Sequence, residues 1–312
     1  MQKERILVDI KGTDPGPLLV VFGGMHGNEP AGVEAIKLMG KMLEVEPITN
    51  PNFSFRGRFL GLVGNLKAYH KGQRYINRDL NRCWTIENVK KVRETPIDKL
   101  EEELQEIKEI LAILESVIAV EKPTKVVVLD LHTTSSFGGI FTIVTDEQDS
   151  INIGVELHAP VIKGMLDGIR GTAMHYFNSN NFDVNMTPVT FESGQHNEQL
   201  SINRAIAAIT NCMRTINCVS ADDVENQHDK LLIEYSCDLP KVSVLVCTHH
   251  INEGDNFKMR PNYKNFQTIV KGEELATDKN GFVRSPENGL ILMPLYQKQG
   301  EDGFFIIKKV EF

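Results

Sequence analysis

The 312-residue sequence has no continuous apolar run approaching the roughly 18 residues that a bilayer-spanning helix needs, so a helical membrane protein is not expected. Its first residues, MQKERILVDIKG, place charges inside and beside a short apolar run, and neither a secretory leader nor a membrane anchor is expected there. Cysteine is sparse and unpatterned. Cys83, Cys212, Cys218, Cys237 and Cys247 form an odd, scattered set of 5 with no C-x-x-C pair. That usage predicts reduced thiols in a cytoplasmic protein rather than a disulfide framework. Positive charge is outnumbered, 34 Lys and Arg against 42 Asp and Glu, and a net charge of −8 argues against nucleic acid as a partner. Internal repeats and low-complexity segments are absent. What is present, 41% hydrophobic and 24% charged residues, is ordinary globular composition over a length that suits about two domains.

Residues 17–22, PLLVVF, read as a short strand that stops at Gly23-Gly24, and Pro30 then suits the first turn of a helix carried by AGVEAIKLMGKML. Residues 53–63 alternate as a second strand. Between Pro96 and Val120, Leu100, Leu104, Ile107, Leu111, Leu114 and Ile118 recur at helical spacing, and Pro123 marks the helix end. KVVVLDLH is the β-branched run of a strand buried on both faces. GIFTIV and TPVTFE read as further strands, and NEQLSINRAIAAITNCMRTI as a helix that covers the sheet. This alternation predicts an α/β fold with an at least partly parallel sheet between helices. Past about residue 235 only short β-like runs separated by Gly, Asn, Asp and Pro remain. The expected division is an α/β domain over 1–235 and a smaller all-β domain over 236–312, joined through the helix-like ADDVENQHDKLLIEY.

Three short segments carry chemistry. In GGMHGNEP, His26 and Glu29 lie three apart between a strand and a helix start, where glycines let a tight turn bring both onto one ion. The alternative is a pair of loop and first-turn polar residues, Glu29 being favoured by the helix dipole. In DLHTT, His132 emerges at a strand end with Asp130 on the same face, placed to hold its ring and tautomer. His26, Glu29 and His132 together supply the His₂Glu set of a catalytic zinc with a position left for water. In RYINRDLNR, Arg74, Arg78 and Arg82 fall four apart beside one aspartate, giving a local cationic site suited to a carboxylate, with the Asn81 amide as an extra donor. The alternative, a solvated helix face, suits Arg78.

GGMHGNE, RYINRDLNR, DLHTT and FESG, in that order over residues 23–194, resemble the aspartoacylase and succinylglutamate desuccinylase family, relatives of the zinc carboxypeptidases. The resemblance implies a zinc-carboxypeptidase-like mixed sheet flanked by helices, a β-rich second domain, and hydrolysis of a small N-acyl amino acid to a carboxylate and an amine. It implies one zinc per chain on His26, Glu29 and His132, with Glu192 as the catalytic carboxylate. It also implies Arg74 at the scissile carbonyl, and Asn81 and Arg82 on the α-carboxylate. Glu192 follows the strand TPVTF, so it can sit at a sheet end near the other motifs. His196 reads as a helix-start residue rather than a second base.

One departure stands out. Aspartoacylases carry an arginine shortly before the catalytic glutamate for the acyl side's carboxylate, yet Gly171 to Phe191 contains no Lys or Arg, so acyl recognition is expected to be neutral, hydrogen-bonded or supplied from elsewhere, and N-acetylaspartate is not singled out as the substrate. The C-terminal segment is expected to act structurally or as a lid that narrows the cleft against long peptides. It resembles a lipoyl or biotinyl-carrier hairpin barrel but has no lysine in an attachment setting. His249 and His250 read as β-surface residues, and Tyr296 as a substrate contact. A metallocarboxypeptidase of short peptides and a non-catalytic ligand-binding protein of the same fold are the alternatives, and homo-oligomerisation stays open.

Overall fold

The computed structural model describes residues 2–221 and 227–311. Seven strands precede residue 200: β1 (Ile6–Lys11), β2 (Asp14–Gly23), β3 (Arg56–Val63), β4 (Val126–Thr134), β5 (Phe141–Val144), β6 (Val161–Lys163) and β7 (Met186–Gln195). Seven follow: β8 (Val242–His250), β9 (Lys258–Met259), β10 (Gln267–Ile269), β11 (Glu274–Asp278), β12 (Gly281–Arg284), β13 (Gly289–Leu292) and β14 (Asp302–Lys309). They build a mixed sheet in the order β1-β3-β2-β4-β7-β5-β6-β8-β14-β13-β10, with a small sheet β12-β11-β9 beside it. Its centre, β3-β2-β4-β7, is parallel.

Successive side chains of a strand point to opposite faces, and both faces of this centre are apolar. Leu19, Val21, Val127, Leu129 and Val189 pack on one side, under the helices Pro30–Thr49 and Leu200–Thr215. Leu18, Val20, Phe22, Leu60 and Val128 pack on the other, under Ile86–Glu94 and Glu102–Glu121. This is the mixed α/β fold that the alternation predicted.

The long helix begins later than its periodicity implied. Residues before Glu102 form only a short turn of helix, Ile97–Lys99, because Leu100 is extended with ψ at 148°. The strand of residues 53–63 starts at Arg56, and β1 and β6 are short additions that their weak patterning did not announce. Part of the helix-like joining segment, residues 222–226, lies outside the described residues, and the rest forms the helix Gln227–Ser236. From Val242 onward every regular element among the described residues is a strand. These strands continue the large sheet, since β8 pairs in parallel with β6 and antiparallel with β14.

Candidate metal centre and cleft

Ligands of open α/β sheets gather outside the carboxyl ends of the strands. β2 ends at Gly23, and Gly24 takes φ of +65°, which turns the chain into the His26 loop. Gly27 then packs so closely that a Cβ would stand 2.1 Å from the carbonyl carbon of Ala68. Glu29 directly precedes the helix opened by Pro30. His132 and Glu192 are direct partners in the β4–β7 register, so strand pairing alone sets them side by side.

His26, Glu29 and His132 are all buried, and their ligating atoms lie within 4.8 Å of one another. His26 Nδ1 is 2.8 Å from Glu29 Oε1, and His132 Nδ1 is 3.2 Å from Glu29 Oε2. Each ring is held from behind: His26 Nε2 is 3.1 Å from Asp79 Oδ1, and His132 Nε2 is 2.9 Å from Asp130 Oδ2. Two imidazoles and a carboxylate converging, each imidazole backed by its own carboxylate, is a donor set suited to zinc. Burial opposes the charge of Glu29, but His26 and then His132 outweigh it and hold its carboxyl well below the ordinary range. Burial likewise opposes protonation of His132, yet Asp130 and Glu29 push its pKa well above the ordinary 6.5.

Asp79 does more than balance charge, which is all that its sequence position revealed. Its other oxygen accepts from Arg74 Nε and Nη2 at 3.1 and 2.9 Å, and Arg74 Nη1 lies 3.6 Å from Glu29. Asp79→Asn and Asp130→Asn are each expected to weaken zinc affinity by about 10- to 100-fold, by loosening ring orientation and ligand basicity. Competition against a chromogenic chelator reads this, and an unchanged affinity in both variants contradicts the positioning role.

The arginine segment is not a helix. It runs as an irregular loop to a single turn at Leu80–Arg82, so the three arginines do not share a helical face. A fully buried carboxylate on the long helix builds the loop instead. Glu103 accepts backbone N–H bonds from Ile76 at 2.7 Å and from Asn77 at 3.2 Å. No local pattern signals that contact. Arg78 leans outward, 38% exposed, 3.1 Å from Glu101. Asn81 Oδ1 accepts from Ala173 N, which leaves its amide nitrogen to donate. Arg82 Nη2 donates to Asp302 at 2.6 Å, a partner delivered by β14.

Glu192 is buried, and its Oε2 has no hydrogen-bond partner among the described residues. Burial raises its pKa to about 8, with His132 opposing the shift and Glu29 adding to it. Arg74, Asn81, Arg82, Glu192 and the three candidate ligands line one cavity of about 90 Å³. Residues after β13 roof it: Gln297 Oε1 accepts from Asn28 at 2.9 Å and meets His196 at 3.2 Å, and Gln299 donates to the Tyr75 carbonyl.

Two neighbours, His196 and Tyr296, depart from expectation, while His249 and His250 lie on β8 as expected. His196 is not an ordinary helix-start residue, since it lies before the helix, largely buried, with Nδ1 2.7 Å from Thr133 Oγ1 and its pKa lowered by that burial. Tyr296 is outside the cavity lining; its hydroxyl accepts from Tyr263 N and donates to the Arg260 carbonyl. His249 stacks on Phe304 at 5.0 Å, and His250 meets Asp302 at 2.6 Å.

A family model described as the succinylglutamate desuccinylase/aspartoacylase catalytic domain matches residues 15–216. The sequence is 34% identical over 131 residues to a probable aspartoacylase of Nostoc sp., covering 42% of this chain and 40% of that protein. It is 31% identical over 140 residues to the aspartoacylase of Xenopus tropicalis, covering 45% and 41%. The matched stretch thus spans about two-fifths of these relatives' own length. Among solved structures, the product-bound ectoine utilization protein EutE (DoeB) of Ruegeria pomeroyi superposes with a TM-score of 0.65 at 18% identity, covering 96% of this chain and 88% of that one. The succinylglutamate desuccinylase/aspartoacylase of Rhodobacter sphaeroides gives 0.65 at 15% identity, covering 97% and 88%. At such identities the likeness is one of fold.

Proposed function

Because the chain belongs to the succinylglutamate desuccinylase/aspartoacylase catalytic-domain family, we propose that it is a zinc-dependent hydrolase of the amide bond in a small N-acyl amino acid, releasing a carboxylate and a free amino acid. The observation that carries this reading is the convergence of His26, His132 and Glu29 next to Glu192, a buried carboxylate with an unpartnered oxygen. His26, Glu29 and His132 would hold one zinc ion, which when bound polarises a carbonyl and acidifies a water. Glu192 takes the proton of the attacking water and passes it to the leaving nitrogen, without which an amine leaves poorly. Arg74, kept charged against its burial by Asp79 and Glu29, donates to the carbonyl oxygen as negative charge develops there. Arg82 and the Asn81 amide hold the α-carboxylate.

A division of the chain into 1–235 and 236–312 belongs to the same proposal, the second part roofing the cleft against long peptides. So does a cytoplasmic setting, which the free cysteines favour. No helix among the described residues is long and apolar enough to cross a membrane. The test is a product-detected screen of N-acyl amino acids and short peptides on the zinc-loaded protein, with metal analysis. Turnover of N-acyl amino acids is expected, whereas a preference for peptides that grows with length points to a carboxypeptidase and overturns the deacylase.

A further inference from the structure

The cations of the cavity are already engaged. Apart from the two histidines, the basic side chains lining it are Arg74 and Arg82. Arg74 is bound to Asp79 and lies against Glu29. Arg82 is bound to Asp302, with Glu301 at 4.0 Å from its Nε. Glu301 and Asp302 line the same cavity, so the neighbourhood of Arg82 carries two carboxylates against one guanidinium. Burial pushes the Glu301 carboxyl up from its ordinary value against the opposing pull of Arg82.

Much of the remaining wall is apolar. Ile143, Leu166, Ile169, Met174, Leu295 and Phe305 face the cavity. All but Leu295 belong to the cluster that packs β5 against the C-terminal strands. They are therefore a fixed surface held by core packing rather than scattered loop contacts. The polar side chains interspersed with them, Thr133, Thr134, Ser135, Thr172, Thr190 and Gln297, are neutral.

We propose that this cleft selects N-acyl amino acids bearing a single carboxylate and one uncharged, apolar group, and that it rejects dicarboxylic substrates. The inference rests on the deacylase reading and names its substrate class. One carboxylate is met by Arg82, beside rather than in place of its Asp302 contact, and by the Asn81 amide nitrogen. A second carboxylate finds no further Lys or Arg in the lining, only hydrocarbon, neutral hydroxyls and amides, and Glu301, and a buried carboxylate without a cationic partner is disfavoured strongly. An apolar group on the acyl or the side-chain end instead gains contact with Ile143, Met174 and Phe305.

The experiment compares kcat/KM of the zinc-loaded full chain for N-acetylleucine, N-acetylmethionine, N-acetylalanine, N-acetylaspartate and N-succinylglutamate. A second arm, N-acetylalanine against N-hexanoylalanine, tells whether the apolar group belongs on the acyl or the side-chain end. Monocarboxylic substrates are expected to exceed the dicarboxylic N-acetylaspartate and the tricarboxylic N-succinylglutamate by about 100-fold, the scale on which a pocket discriminates by apolar contact and unpaired polar groups. Equal or better hydrolysis of N-acetylaspartate or N-succinylglutamate overturns the inference and leaves the deacylase standing. Hydrolysis of none of the five removes the deacylase reading itself and the inference with it. Met174→Arg, one flexible side chain for another, is expected to narrow the gap by about 10-fold. An unchanged ratio in a variant of unchanged melting temperature counts against the proposal.

Discussion

Glu192→Gln is expected to lower kcat by about 10³-fold while zinc content and fold stay as they are, the scale of losing a positioned acid–base group. Gln keeps the shape and burial of the side chain but cannot accept a proton at the attacking water or return one at the leaving nitrogen. Among the described residues Glu192 makes no hydrogen bond through Oε2, so the substitution leaves no new unpaired partner at that atom. A base must be ionised, and kcat/KM of the parent should fall as pH drops through the pKa of this carboxyl. Without metal that value is raised to about 8 by burial, and a cation bound beside it lowers it. The acidic limb of the profile should vanish in the variant. Stability gives a second readout from the same protein. A carboxyl whose folded pKa lies above its ordinary 4.5 opposes folding increasingly as pH rises from there toward 8. The metal-free Gln variant should therefore melt several degrees above the metal-free parent at pH 8, and the gap should close near pH 5. Full activity in the variant, with zinc in place, excludes Glu192 as the base.

The convergence of His26, Glu29 and His132 was readable because each sits in a short local signal: glycines after a buried strand for His26 and Glu29, and the polar end of a β-branched run for His132. Sheet register, also implied by those runs, then brings Glu192 to His132. What escaped reading was carried by distance in sequence. Glu103 builds the arginine loop from a helix 26 residues beyond Asn77, and helical spacing of Arg74, Arg78 and Arg82 pointed the wrong way because the loop is fixed by that carboxylate rather than by its own period. The Asp302 contact with Arg82 spans 220 residues, so the pairing of that arginine is invisible until β14 is placed. His196 looked like a helix-start residue because its partners, Thr133 and Gln297, come from other strands and loops. The β character of the C-terminal segment was plain from its turn residues. Its junction with the main sheet depends on β6, a strand of three residues too short for a pattern.

Stripping the protein with a chelator should abolish activity, zinc should restore it, and the affinity for zinc should rise by about tenfold per pH unit for each proton that the ion displaces. The direction follows from His132. Its folded pKa stands well above 6.5, because Asp130 and Glu29 outweigh burial, so the metal-free site holds a proton there at neutral pH that an incoming ion must expel. A group so raised stabilises the metal-free fold fully below 6.5, and that contribution is lost as pH climbs through its folded pKa. Glu29 works oppositely: its depressed pKa stabilises the fold above 4.5 and fails only in acid, so it contributes no slope near neutrality. Glu192, raised to about 8, adds a second proton that a nearby cation drives off. Metal-free stability should therefore fall between pH 6.5 and 8 while zinc affinity rises, and the shift in melting temperature on adding a fixed zinc concentration should widen across that range. Calorimetry in two buffers of different ionisation enthalpy counts the protons directly, and one to two are expected at pH 7. Release of none, together with an affinity independent of pH, means that the ion does not replace a proton on His132, and the assignment of His132 as a ligand then fails.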